Sequence, residues 1–459
     1  MRGAPRRVRA GLAGALTAVA TALGACDVDL PPRAPPPTSA DYCGPPARAP
    51  AAGATVLTVW ASAPRQHCLR LYAPAIVADS LPDIDVAAVE KNINSTPYRH
   101  LLKEAAERGE APDISFVYNG KVRELAAAGH LHPLTECAPR PEPRPWVMNG
   151  TGLHDWAVPF ESDLLALYYN RALLERLGWT RAELDSLPAR IARGDFTLEN
   201  LWRVARTGRE LGLVSTGAAF VPREDRYASF QHWYLSAGGP LIDLDADEIS
   251  VDLRALEATF EVYDGLYRSD LLSRDYTRPA MQNLGNRMVL RDALAHGRLL
   301  FAHAETSAWR RMMMDHVPDP LALARTIGMA PLPAAVDGGP GSVLVRSTGS
   351  YVIFAERASG RTHQQAACTL LRAVQRSTLV RVHARNTAQP AVEADGFWMP
   401  EALAALRGVP VLWSPLAHPD VHAYLETLRA AVTRYSPERS NPAVAAAELA
   451  AELQAIARE

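Results

Sequence analysis

Asn94 to Leu134 reads NSTPYRHLLKEAAERGEAPDISFVYNGKVRELAAAGHLHPL, and its punctuation predicts helix, strand, helix. Ser95 or Thr96 is suited to cap the first helix, and Pro97 fits a first turn, where no amide donor is needed. That helix is expected to reach about Arg108, with Gly109 as its left-handed exit. Pro112 and Asp113 open the apolar run Ile114 to Val117, which suits a strand buried on both faces. Tyr118-Asn119-Gly120 then turns the chain into a second helix, Lys121 to Ala128, stopped by Gly129. Open α/β sheets hold ligands just past the carboxyl ends of parallel strands, which singles out Tyr118 and Asn119.

Strands and helices alternate on either side, with no sequence repeat. Thr55 to Trp60 and Ile84 to Glu90 are expected strands, with a helix between them from about Cys68 to Ser80. Leu164 to Asn170 is an expected strand, and Arg298 to His303 and Ile327 to Pro331 are further ones. Helices are expected at Val251 to Tyr267, Met288 to His296, Thr362 to Gln375 and Thr378 to Ala384. Trp202, Trp233 and Tyr234 sit at helical spacing and read as core. A chain of 459 residues exceeds one ordinary core.

The first 25 residues read as a processing signal. Arg2, Arg6, Arg7 and Arg9 form a basic start, and Gly11 to Leu23 is apolar but too short to span a bilayer. Leu23-Gly24-Ala25-Cys26 resembles a bacterial lipobox, which implies lipidation of Cys26 and cleavage before it. Losing four arginines moves the formal charge from −2 to −6, which argues against nucleic acid as a partner. Residues 26–53, rich in Pro and Ala, read as a tether from the membrane. Cys43, Cys68, Cys137 and Cys368 remain, an even number in an exported chain, where disulfides are favoured. Three pairings are open.

TPYRHLL, GEAPDISFVY and ELAAAGHLHPL resemble the first lobe of the extracellular solute-binding proteins of carbohydrate ABC importers, a family of maltose- and trehalose-binding lipoproteins. The similarity of pattern extends from about Val56 to the C-terminus. It implies a two-lobed periplasmic-binding-protein-like α/β fold, each lobe a mixed sheet flanked by helices, with a hinge and a central cleft. Pro159-Phe160-Glu161-Ser162-Asp163 and Ser347-Thr348-Gly349-Ser350-Tyr351 resemble the family's two crossings between lobes. Lobe one is then 54–160 with 349–398, and lobe two 161–345 with 399–459. All four cysteines beyond Cys26 fall in lobe one or its tether.

The resemblance also implies candidate ligand contacts. A sugar needs aromatic platforms for its C–H faces and polar side chains for its hydroxyls. Asp163 matches the family's acid for sugar hydroxyls, with helix capping as its other reading. Tyr118 and Asn119 match a polar strand edge. Tyr351, beside Gly349, takes the place of a crossing tryptophan. Trp309 lies where stacking tryptophans are expected, or it is a core aromatic. Arg65 follows the first strand. Glu305 and Ser307 stand where further aromatics are expected.

Catalytic patterns are missing: there is no GxSxG, P-loop, HExxH or dinucleotide fingerprint. Glu161 and Asp163 can pose as a carboxylate pair for glycoside hydrolysis, but are expected to point apart, which leaves one of them as a ligand contact. His130 and His132, near Glu136, read as surface residues rather than metal ligands. The expectation is a monomeric lipid-anchored protein on the extracellular face of the membrane, with no enzyme activity, cofactor or metal. It captures a sugar or oligosaccharide in the cleft and passes it to an ABC importer permease. The alternative is the same fold with a non-sugar polar solute, or a sensor without a permease.

Overall fold

The computed structural model describes residues 52–62, 67–91, 96–142, 153–215, 219–222, 228–240, 242–243, 248–271, 291–393, 396–413 and 421–456. The signal segment, most of the tether, Cys26, Cys43, Arg65 and Ser95 lie outside them. Among the described residues no helix is long and apolar enough to cross a membrane.

The strands are β1 Thr55–Ala61, β2 Ile84–Glu90, β3 Ile114–Tyr118, β4 Ala157–Asn170, β5 Phe220–Val221, β6 Ile242–Asp243, β7 Glu248–Ile249, β8 Phe301–Glu305, β9 Ile327–Ala330, β10 Val343–Ile353, β11 Ala391–Glu393, β12 Gly396–Trp398 and β13 Val411–Trp413. All but the small β6–β7 pair join one mixed sheet, ordered β12-β11-β4-β10-β3-β1-β2, with β8 and β9 on β4, β5 on β8, and β13 on β10. β1 pairs in parallel with β2 and β3.

Two strands organise the molecule. β4 is 14 residues long and β10 is 11, so both crossings are uninterrupted strands. Their antiparallel ladder breaks register between Val345 and Ser347 and between Gly349 and Ser350. Such bulges bend and twist a ladder. On one side of the bulges β10 pairs with β3, Gly349 opposite Tyr118 and Ile353 opposite Ile114. On the other it pairs with β13, while β4 pairs with β8 and β9.

The core divides at the same place. One cluster holds Val59, Phe116, Val117, Val158, Phe160, Tyr351 and Val352. The other holds Leu164, Leu167, Tyr168, Trp233, Phe260, Phe301 and Met312, and takes in the last helix, Pro442–Ile456, through Leu449 and Leu453. The mixed α/β fold is therefore two-lobed, with β4 and β10 passing through both cores. Trp233 is fully buried.

The deciding stretch folds as helix Thr96–Glu107, strand β3 and helix Asn119–Ala127. Gly109 and Gly129 take the left-handed conformation at φ +72° and +64°. No separate turn intervenes after β3: Tyr118 is the extended N-cap of the next helix. Cys137 is bonded to Cys368, on helix Gln364–Arg376, across 231 residues of sequence. Cys68 is disulfide-bonded as well.

Candidate functional site

Tyr118 ends β3 half-buried, at the edge of the crossing. Arg70, on helix Leu69–Ala78, places its guanidinium 5.8 Å from the Tyr118 ring centroid and 5.2 Å from that of Phe116. Asn119 follows with its Oδ1 buried and without a hydrogen-bond partner among the described residues. Gly349, opposite Tyr118, has a structural reason: a Cβ there would stand 2.2 Å from Phe116 Cζ and 3.1 Å from Glu161 Cγ.

Glu161 and Asp163 do not point apart. Residues two apart on a strand share a face, and both carboxylates act electrostatically on Tyr118 and Arg70. Their partners differ. Arg70 Nε donates to Glu161 Oε2 at 2.9 Å, Arg70 Nη2 donates to Oε1, and His383 Nε2 donates to Oε2. All three residues are at most 2 % exposed. Burial opposes the Glu161 charge, but Arg70 and His383 hold its carboxyl far below the usual range. Burial pushes His383 down, so it is a neutral donor beside an Arg70–Glu161 ion pair.

Asp163 faces lobe two. Its Oδ2 accepts from Ser307 Oγ at 2.9 Å, and its Oδ1 accepts from Ser307 N and Thr306 Oγ1, each at 3.2 Å. It thus serves the start of helix Ser307–Asp315, whose N-cap Thr306 makes no side-chain cap bond. A carboxylate is favoured at that end of a helix. Burial and then the neighbouring Glu305 carboxylate push Asp163 up, while Arg346 and the Ser307 donors oppose them. Glu305 ends β8 and is paired with Arg346 of β10. With both carboxylates committed to donors, the glycosidase geometry has no free acid–base pair.

Two aromatic candidates are core residues: Tyr351 against the stacking reading, Trp309 as the second of its two readings. Tyr351 is fully buried in lobe one, its ring packed edge-on at 5.4 Å from Phe116 and 5.3 Å from Phe160. Its hydroxyl donates to the Arg70 carbonyl at 2.9 Å. It anchors helix Leu69–Ala78 and offers no stacking face. Trp309 is 6 % exposed and belongs to the lobe-two core. Alternation explains Tyr351: one face of a strand inside a sheet covered by helices is core.

Arg70, His67, Arg346 and Arg311 were not singled out by sequence reasoning. His67 is buried, its Nδ1 has no hydrogen-bond partner among the described residues, and burial and Arg70 push its pKa down. Arg311 of lobe two lies within electrostatic reach of it, and its buried Nε is likewise unpartnered. Helix Ser307–Asp315 of lobe two packs there on helix Leu379–Thr387 of lobe one. Phe397 and Trp413 also stack, at 5.9 Å, half-buried on β12 and β13. A single tryptophan ending a three-residue strand carries no sequence signal of such a pairing.

The comparisons place this geometry among known folds. The GacH receptor of Streptomyces glaucescens, solved unliganded and with acarbose, matches with a TM-score of 0.65 at 17 % identity, over 88 % of this chain and 99 % of that one. The sugar-binding protein MalE of Xanthomonas citri matches with 0.65 at 16 %, over 88 % and 98 %. The cyclic α-maltosyl-1,6-maltose binding protein of Arthrobacter globiformis matches with 0.66 at 14 %, over 88 % and 100 %. Among curated proteins none matches. At these identities the structures establish the fold. The sequence model for bacterial extracellular solute-binding proteins matches residues 92–373, more than half of the chain, including both crossings and the stretch around Tyr118. The chain therefore belongs to the bacterial extracellular solute-binding proteins, a family of binding proteins rather than enzymes.

Proposed function

We propose that this protein captures a sugar or oligosaccharide between its lobes and delivers it to an ABC importer permease, as a monomer tethered to the outer face of the membrane through lipidated Cys26. The supporting observation is the meeting of both lobes at the β4–β10 crossing. Lobe one contributes the Tyr118 ring and the unpartnered acceptor of Asn119, lobe two the Ser307 hydroxyl and Arg311, and the crossing contributes Asp163. A ring with neighbouring donors and acceptors suits a saccharide, which has C–H faces and a rim of hydroxyls. The relatives in complex with acarbose or named for maltosyl sugars favour the same class. A solute touching both lobes binds the closed state better and shifts the population toward it.

Calorimetric titration with the saccharide returned by a ligand screen tests the site. Tyr118→Ala is expected to cost roughly 1–3 kcal/mol of binding, or about tenfold to hundredfold in affinity. Asp163→Ala is expected to lower affinity and, because it releases Ser307 and Thr306, melting temperature too. Unchanged affinity in both variants contradicts the site. The anchor is tested separately: Cys26→Ala should move the protein out of the membrane fraction, and retention there refutes lipidation at Cys26.

A further inference from the structure

Three side-chain groups bring possible metal ligands together among the described residues. In the first, Cys137 and Cys368 are already bonded to each other beside His132. In the second, Glu161 is saturated by Arg70 and His383 beside His67. The third is Asp292, His296 and His316, in lobe two, where Arg298 takes only Oδ2 of the carboxylate and Oδ1 faces the two rings.

We propose that Asp292, His296 and His316 form a site for a divalent transition-metal cation of the zinc type. Asp292 lies in the helical turn 291–295 and His296 follows four residues later, so they stack on one face. His316 arrives from a different segment, at the C-cap of helix Ser307–Asp315. His296 Nδ1 is 3.0 Å from Asp292 Oδ1, and His316 Nδ1 is 3.8 Å from the same oxygen. Bonds of about 2.0–2.1 Å to a tetrahedral ion set neighbouring ligands about 3.3 Å apart, between those two separations. The rings stand edge to face with centroids 5.4 Å apart, leaving room for an ion against the carboxylate. Arg298 holds Asp292 through Oδ2, so Oδ1 is left for the ion and the carboxylate is oriented from behind, as metal-ligating carboxylates commonly are.

The donor set selects the ion. Two imidazoles and one carboxylate suit zinc, nickel or copper, whereas calcium and magnesium take oxygen shells. Exposures of 39 %, 54 % and 20 % for Asp292, His296 and His316 leave further coordination positions to water. His296 Nδ1 lies 2.8 Å from the Asp292 carbonyl, to which it donates its proton. On binding, the neutral ring carries its proton on Nε2 instead of Nδ1, and a metal bond replaces the hydrogen bond to the Asp292 carbonyl. Helix Ser307–Asp315 is then held at both ends, by Asp163 at its start and by the ion at its end.

The test is calorimetric titration of chelator-stripped protein with Zn2+, with Mg2+ as the control. One saturable Zn2+ equivalent and none for Mg2+ are expected. Affinity should fall by at least about tenfold in His296→Ala and in His316→Ala. The three side chains are partly exposed, so both variants should melt at the wild-type temperature without metal. Zn2+ should raise that temperature in the wild type only. His132→Ala should bind as the wild type does. Absence of saturable Zn2+ binding, unchanged binding in both histidine variants, or loss of binding in His132→Ala overturns the assignment.

Discussion

Tyr351 shows how one residue's role is decided by its neighbours. At the sequence level it stands in place of a crossing tryptophan, and a ring at a crossing suggests stacking. The fold instead surrounds it with Phe116 and Phe160 and gives its hydroxyl the carbonyl of Arg70. Tyr351→Phe removes one buried hydrogen bond and is expected to lower stability by about 1 kcal/mol, with solute affinity unchanged. Tyr351→Ala leaves a cavity and should cost about 3–5 kcal/mol. Chemical denaturation beside titration separates the two readings, and lost affinity at unchanged stability restores the stacking role. Asp163 was legible as either ligand contact or cap; its three bonds to Thr306 and Ser307 carry the capping role, and the ligand contact belongs to the proposed site. Arg70 was not legible, because its meaning lies in Glu161, 91 residues later in sequence. The Arg70–Glu161 pair is a contact no local pattern encodes.

At the scale of elements, β3 and its flanking helices were readable because each carries its own signals: an apolar run, Gly109 and Gly129. The crossings were located by their resemblance to a family, yet they read as segments between strands. They lie inside β4 and β10, since a bulged ladder needs no turn residue. Lobe two also contains a buried hydrogen-bond chain no motif announces. Ser229 Oγ, on helix Ala228–Ser236, meets His303 Nδ1 of β8 at 2.8 Å. His303 Nε2 meets His232 Nδ1 at 3.2 Å, and His232 Nε2 meets Ser342 Oγ at 2.9 Å, just before β10. Burial holds His232 neutral, its pKa pushed down to about 3. The unfolded chain, with an ordinary histidine near pH 6.5, binds that proton first as pH falls. Stability from this chain is therefore complete above about pH 6.5 and is lost toward pH 3, with a slope approaching about 1.4 kcal/mol per pH unit for one site. Denaturation across pH 7 to 4 measures the slope. His67 and His383, also held low by burial, add to the slope, so His232→Gln should lessen it by up to about 1.4 kcal/mol per pH unit, and an identical slope in that variant rules out a contribution from His232.

For the whole molecule, two cores are threaded by the same pair of strands, and bending at the bulges would move one lobe against the other without breaking either core. Polar groups from both lobes converge at that bend, and family membership identifies the molecule as a solute binder. The solute's class is the central claim. It is most directly tested by a thermal-shift panel of mono- and oligosaccharides, polyols and amino acids, since a ligand of the folded state raises its stability. A saturable rise with at least one saccharide, lost in Tyr118→Ala, is the predicted result; shifts only with amino acids, or an equal rise in Tyr118→Ala, contradict it.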